Sequence, residues 1–332
     1  MNNYILTISI PTYNRCDLLQ LTIESVLSQV DNRLDIEIIV VDNASEDNTI
    51  NVMEKYKNRI KYIRNTTNIG IDANINKCVF ESSGKYVHVL SDDDLLIEGA
   101  LTKILTFIDN DLDFIFLNGV VFSENFNSNE ITSYDKIFIA NNDYVYTDMN
   151  QFLSSIWIWA TFVSSFVVKR EKWTMNKNID NYIGTDILLS YALIDLLHIS
   201  TNVAIIGKPC IAIRAAYSGN YRIIYAFAYQ WKKLLLEHAP NRGFKIEAMK
   251  KIFNKSILKD LLPRLLAISI QQRIKQDSEE YKYLTYGLNG VWFGFLVKFI
   301  LLYSGKFPLR VINKLINIFK LNNLNNSIKK EQ

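Results

Sequence analysis

The chain has 332 residues, 49% of them hydrophobic and 21% charged, a balance that excludes disorder over most of its length. Three cysteines, Cys16, Cys78 and Cys210, lie too far apart for a zinc cluster or a disulfide framework and suit a reducing cytoplasm. The net charge of +3 hides an asymmetry: residues 241–332 hold 17 Lys and Arg against 6 Asp and Glu, leaving −8 for residues 1–240, which argues against nucleic acid as the partner of a site in the front half.

In chain order, residues 4–10 alternate weakly and run into Pro11-Thr12-Tyr13-Asn14-Arg15, a first strand ending in a loop. No basic segment or small-residue cleavage site precedes that strand, so no signal peptide is expected. Residues 17–28 follow as a helix with Leu18, Leu21, Ile23, Val26 and Leu27 inward, and residues 36–41 are a β-branched run of the kind covered on both faces in parallel sheets. That run ends at Asp42. Asn43-Ala44-Ser45 then turns into a helix at 47–56, residues 61–64 form a third strand, Asn68-Ile69-Gly70 a turn, and residues 71–80 a helix stopped by Gly84.

The next strand, residues 86–90, ends in Asp92, Asp93 and Asp94. Adjacent carboxylates repel, and a hard divalent cation relieves that repulsion because it selects carboxylate oxygen. The competing reading is a helix cap for Leu96, Ala100, Leu101, Ile104, Leu105 and Ile108. One Asp would suffice for it, and Glu98 falls four residues after Asp94 rather than three. Strand and helix alternation predicts an α/β layer fold with ligands outside the carboxyl ends of the strands, where residues 11–15, 42–45 and 92–94 converge. No G-x-G-x-x-G, P-loop or G-x-S-x-G motif occurs, and His88, His198 and His238 lack metal-ligand spacing; His88, between two valines, reads as a strand histidine.

With those residues in view, positions 4 to about 215 resemble a glycosyltransferase of family 2 with the GT-A fold. Ser9 to Arg15 is similar to the family's first nucleotide-binding loop. Val40-Val41-Asp42-Asn43-Ala44-Ser45-Glu46-Asp47-Asn48-Thr49 is similar to the second, whose Asp position reads the base, Asn68-Ile69-Gly70 to the third, and Leu90-Ser91-Asp92-Asp93-Asp94 to the metal-binding D-x-D region. Ser91 stands where many members carry the first Asp, as in a subset that includes abequosyltransferase-like enzymes of O-antigen assembly. The resemblance implies a nucleotide-sugar donor held by Pro11, Thr12, Tyr13, Arg15, Asp42, Asn43, Ser45, Asn68, Gly70 and, at the ribose, Asp92. It implies Mg²⁺ or Mn²⁺ on Asp93, with Asp94 either a further ligand, a support from behind or a cap.

Transfer to a hydroxyl needs a base. The resemblance places it in an acidic motif about a hundred residues further on, matched best by Tyr182-Ile183-Gly184-Thr185-Asp186, so Asp186 is the candidate base, with a helix cap as its alternative role. Residues 157–166, rich in aromatics, read either as strand core or as an acceptor pocket, and Arg214 and Arg222 as cations that reach a diphosphate or are simply solvated.

Beyond 220 the chain reads as helices at 221–239 and 244–262, a break at Pro263, a glycine-bearing turn at 287–294 and a cationic amphipathic helix at 309–320. The apolar run 291–303, interrupted by Lys298, is too short to span a bilayer. The division expected is a catalytic domain at 1–220 and a helical, basic region at 221–332 that lies on an anionic membrane surface or packs on the catalytic domain. The function expected is an inverting, metal-dependent transferase acting on a lipid-linked glycan acceptor in surface polysaccharide synthesis, cytoplasmic and peripheral on the inner face of the plasma membrane. The alternatives are a nucleotidyltransferase and a non-catalytic, membrane-attached sugar-nucleotide-binding protein.

Overall fold

The computed structural model describes residues 4–30, 33–122, 142–214, 222–261, 265, 274 and 277–290. The chain divides into two compact units, Met1–Asn220 with Arg242–Phe244, and Tyr221–Asn241 with Lys245–Gln332.

In the first unit, a mixed sheet of nine strands among the described residues carries the fold. The strands are β1 (Leu6–Thr12), β2 (Ile36–Asp42), β3 (Lys61–Arg64), β4 (Tyr86–Val89), β5 (Leu95–Leu96), β6 (Phe114–Phe122), β7 (Tyr144–Tyr146), β8 (Phe166–Lys169) and β9 (Val203–Arg214). Their order is β3-β2-β1-β4-β8-β6-β9-β5, with β7 also on β9. The first four strands run parallel, and β8 enters antiparallel between β4 and β6. Thr12 pairs with Asp42 and Asp42 with Arg64, so the three strand ends stand side by side.

The β-branched runs of β1 and β2 are buried on both faces. Ile8, Ile10, Ile38 and Val40 pack with helices α1 (Cys16–Val30) and, across the core, α4 (Ala100–Ile108), while Ile39 and Val41 pack with Cys78 of α3 (Ile71–Phe80). A strand covered on both sides has no polar face to spare, which is why its sequence does not alternate. The remaining helices of this unit are α2 (Thr49–Lys55), α5 (Met149–Ile156), α6 (Arg170–Thr174) and α7 (Leu188–His198).

Several expectations need correction. Asp94 does not cap a helix: Leu95 and Leu96 form β5 against Ile211 and Ala212 of β9, and α4 begins six residues after Asp94, with Gly99 as N-cap. Gly84 does not stop α3, whose C-cap is Glu81; it lies beneath β1, where an added Cβ would stand 2.5 Å from the Thr7 backbone nitrogen. The aromatic stretch 157–166 is mostly two short 3₁₀ turns, Trp157–Thr161 and Val163–Ser165, before β8.

The second unit is helical. Residues 224–241 form one helix with wide, π-type turns, Ile246–Ser256 continues through Leu261, and Glu279–Leu288 is capped by the Ser278 side chain. Gly287, expected in a turn, is inside that last helix and packs on the backbone of Ala228. Pro263, the apolar run 291–303 and the amphipathic segment 309–320 lie outside the described residues. Among the described residues no helix is long and apolar enough to cross a membrane.

Candidate active site

The loops after β1, β2 and β3 are joined by short polar side chains. The Asn14 backbone N–H donates to Ser45 Oγ (2.9 Å), and the Asn14 side chain accepts from the Glu46 N–H (2.7 Å). Asn43, almost fully buried, donates to Asn68 Oδ1 (2.8 Å) and accepts from the Ile69 N–H (2.9 Å) and from Asn65 (3.0 Å). The Asn68 side chain also accepts from the Gly70 N–H. Asn side chains suit this work because each offers donor and acceptor at once and can stand in for a strand where the sheet has ended. Asn43, Ser45, Asn68 and Gly70 are thus brought together as expected candidates, and Tyr13 stands exposed on the first loop.

Asp42 is placed differently from its expected role. Its carboxylate has no accessible surface: one oxygen accepts from the Ser45 N–H (2.8 Å), the other from Tyr62 Oη (2.6 Å) and lies 3.3 Å from Arg64 Nε. In this conformation it holds Tyr62 and the half-exposed Arg64. Burial and the hydrogen bond to Asp42 raise the Tyr62 hydroxyl well above its ordinary pKa, so it stays a donor.

The triad separates into three roles. Asp92 is buried and accepts from Thr12 Oγ1 (2.7 Å) and Arg15 Nη1 (2.8 Å), tying the first loop to the end of β4. Burial lifts its pKa to about 6 against the pull of Arg15. The Asp93 side chain is more exposed than that of Asp92, at 17% against 4%. It receives Ser91 Oγ (2.7 Å) and Arg15 Nη1 (3.2 Å). Asp94, expected as a metal ligand beside Asp93, turns inward: Ser164 Oγ (2.6 Å) and the Arg214 backbone N–H (3.1 Å) take its two oxygens, and burial with the nearby Asp93 charge pushes its pKa up to about 8.

Arg214 is brought to the triad as well, its guanidinium 4.7 Å from the Phe122 ring centroid and its Nε 3.3 Å from the Asp93 carbonyl oxygen. Arg222 belongs to the second unit and lies over Tyr225. His88 is the strand histidine expected: fully buried, with Nε2 2.8 Å from the Ser164 carbonyl and burial lowering its pKa to about 4, it is neutral and donates there.

Asp186 is partly exposed in the left-handed region at φ 62°, a conformation that costs about 1–3 kcal/mol and persists where its surroundings impose it. It does not cap α7, whose N-cap is Ile187. The carboxylate that serves the α7 start is Asp72, in the first turn of α3, which accepts backbone N–H groups from Gly184 (2.9 Å), Asp186 (2.8 Å) and Leu188 (3.2 Å). Sequence reasoning missed Asp72. Its one signal was an acid two residues after the Asn68-Ile69-Gly70 turn, which also reads as an ordinary complement to a helix dipole.

Among the described residues no group of three or more His, Cys, Asp or Glu forms a protein cage for a metal. The donor set fits a different arrangement. Mg²⁺ keeps several waters and is commonly bound through one or two carboxylates plus substrate phosphates, and the partly exposed Asp93 is the residue that could supply such a carboxylate.

Comparison with known proteins bears on the family and on the fold. Residues 7–171 match the sequence model of the family described as Glycosyl transferase family 2. The chain is 30% identical over 194 residues to the abequosyltransferase RfbV of Salmonella typhimurium, a match covering 54% of this chain and 57% of RfbV. It is 35% identical over 123 residues to the GalNAc(5)-diNAcBac-PP-undecaprenol beta-1,3-glucosyltransferase of Campylobacter jejuni, covering 36% of this chain and 39% of that protein. These matches span about half or less of the relatives' own length. Among solved structures, Staphylococcus aureus TarS in complex with UDP-GlcNAc superposes with a TM-score of 0.60 at 17% identity, over 85% of this chain and 79% of that one, which shows a shared fold.

Proposed function

Because residues 7–171 make this chain a member of glycosyltransferase family 2, with a GT-A architecture, we propose that it transfers a sugar from a nucleotide-sugar to a hydroxyl of a lipid-linked glycan. The observation that carries the reading is the convergence of Thr12, Arg15, Asp92 and Asp93 at the carboxyl ends of parallel strands, beside the Asn43–Asn68 loops. A relative whose name specifies a diphosphoundecaprenol acceptor, a β-1,3-glucosyltransferase of Escherichia coli that is 30% identical over 127 residues, supports the acceptor class.

In this reading the donor's base and ribose lie along Tyr13, Asn43, Ser45 and Asn68, with Tyr62 and Arg64 at the rim and Asp92 below. Asp93 would hold Mg²⁺ or Mn²⁺, which when bound would supply Lewis-acid neutralisation of the departing diphosphate. Arg15 and Arg214 add fixed positive charge where negative charge develops, the arrangement that favours a transition state over its ground state. The acceptor oxygen attacks the anomeric carbon, the carbon–oxygen bond to the diphosphate breaks, and Asp186 takes the hydroxyl proton. A single displacement of this kind inverts the anomeric centre. The protein works at the cytoplasmic face of a membrane, where a nucleotide-sugar and a lipid-linked acceptor meet.

Asp93→Ala is expected to reduce nucleoside diphosphate release by at least about 100-fold, the scale for losing one electrostatic stabiliser, while the melting temperature is retained. Release unaffected both by that change and by chelator would reject the metal assignment.

A further inference from the structure

Asp72 is a buried carboxylate, 5% exposed, on the second residue of α3, and the donor-binding and metal-binding groups described above do not use it. A charge that served only the α3 dipole would stay in solvent, because exposure costs nothing and burial costs much. Asp72 instead spends its acceptor capacity on another part of the chain. All three N–H groups it receives come from residues 184–188, more than a hundred positions away, and they fix two left-handed residues, Gly184 at φ 88° and Asp186 at φ 62°.

The other end of the same helix start is fixed too. Asn43 accepts the Ile69 N–H and contacts the Asn68 side chain and the Gly70 carbonyl, so the turn that opens α3 is anchored to the end of β2. A continuous hydrogen-bonded path therefore runs from the β2 loop, through the first turn of α3, to the backbone of Asp186. Burial, opposed by those three N–H groups, lifts the Asp72 pKa to about 6, with the Asp186 charge contributing in the same direction, so the two carboxylates are within electrostatic reach.

On this geometry we infer that Asp72 is a positioning residue for Asp186: it holds the proton acceptor's backbone in its left-handed conformation and in register with the donor loops. The inference rests on the reading of Asp186 as the base. Asp72→Asn keeps the shape but leaves one acceptor oxygen for three N–H groups and turns an amide donor towards them. The strained backbone at 184–186 then loses the carboxylate that opposes its relaxation. A displacement of the base by about 1 Å is expected to cost on the order of 100-fold in turnover.

The test uses the full chain. Hydrogen exchange in the wild-type protein should show the amides of Gly184, Asp186 and Leu188 protected, and Asp72→Asn should speed their exchange at least tenfold while α1 amides stay unchanged. Nucleoside diphosphate release from UDP-glucose, UDP-GlcNAc, GDP-mannose and dTDP-glucose with Mn²⁺ supplies kcat and KM. The expected result is a fall in kcat with KM within twofold, and no further fall when Asp72→Asn is added to Asp186→Asn. Unprotected amides in the wild type, or unchanged exchange in Asp72→Asn, overturn the inference even if none of the four sugars turns over. A double variant slower than Asp186→Asn overturns it in favour of a general structural role. Full turnover in Asp186→Asn overturns the base assignment and this role with it, whereas normal turnover in Asp72→Asn beside an inactive Asp186→Asn overturns this role alone.

Discussion

Three neighbouring aspartates with one sequence-level description acquire three different chemistries from their surroundings. Asp92 is neutralised in place by Arg15, Asp93 keeps an accessible face, and Asp94 is enclosed by Ser164 and the Arg214 backbone. Enclosure has a measurable consequence. A carboxyl whose folded pKa is pushed up to about 8 is protonated in the folded state while its unfolded counterpart, near 3.8, is not. The folded state then binds more protons between those values, so this group's stabilising contribution is full below about pH 4 and is lost as pH rises towards and through 8. Metal-free protein is expected to lose stability from this source at up to about 1.4 kcal/mol per pH unit, and Asp94→Asn, which cannot ionise, should remove that slope. Melting temperatures of the two proteins between pH 5 and 9 check this; parallel curves would show that Asp94 ionises normally.

The elements were legible where one local rule decided them. The β-branched run of β2 and the helical spacing of α3 needed no partner to be read, and the Ser91–Asp94 stretch stood out because adjacent carboxylates repel. What stayed hidden was set by distant partners. β5 is two leucines, invisible until β9 pairs with them 115 residues later, and Asp72 looks like any first-turn acid until the 184–188 backbone comes to it. Asp42 was expected at the donor site, but its burial behind Tyr62 and Arg64 follows from a register that no single segment contains. Gly84 belongs to the same class. Its reading as a helix stop was plausible locally, whereas a Cβ there would meet the Thr7 nitrogen at 2.5 Å and the Leu6 carbonyl carbon at 2.7 Å, backbone atoms of a central strand that cannot turn aside. Gly84→Ala is therefore expected to destabilise the first unit by about 1–3 kcal/mol, the usual penalty for overpacking a rigid site. A denaturant midpoint equal to that of the wild type would mean that β1 and the 82–85 turn can separate.

At the scale of the whole chain, charge is distributed against the site rather than with it. Residues 1–240, which contain every proposed donor contact, carry a balance of −8, and the compensating positive charge lies from 241 onward. An acidic unit does not by itself approach an anionic surface, so the lipid-linked acceptor proposed above would call for a separate cationic element. Residues 291–332 have the composition for it: seven Lys and Arg against one Glu, alongside Trp292, Phe293, Phe295 and Phe299. Each basic residue near an anionic leaflet contributes about 1 kcal/mol, and aromatic side chains add apolar burial at the interface. The full chain is expected to float with vesicles containing phosphatidylglycerol but not with neutral phosphatidylcholine vesicles, and to detach as salt is raised through the range where the Debye length falls below about 8 Å. A chain ending at residue 290 should remain in the pellet fraction under all conditions while it still binds nucleotide. Undiminished flotation of the shortened chain would place the membrane contact elsewhere, and flotation that ignored salt and lipid charge would assign it to the aromatic residues rather than to the lysines.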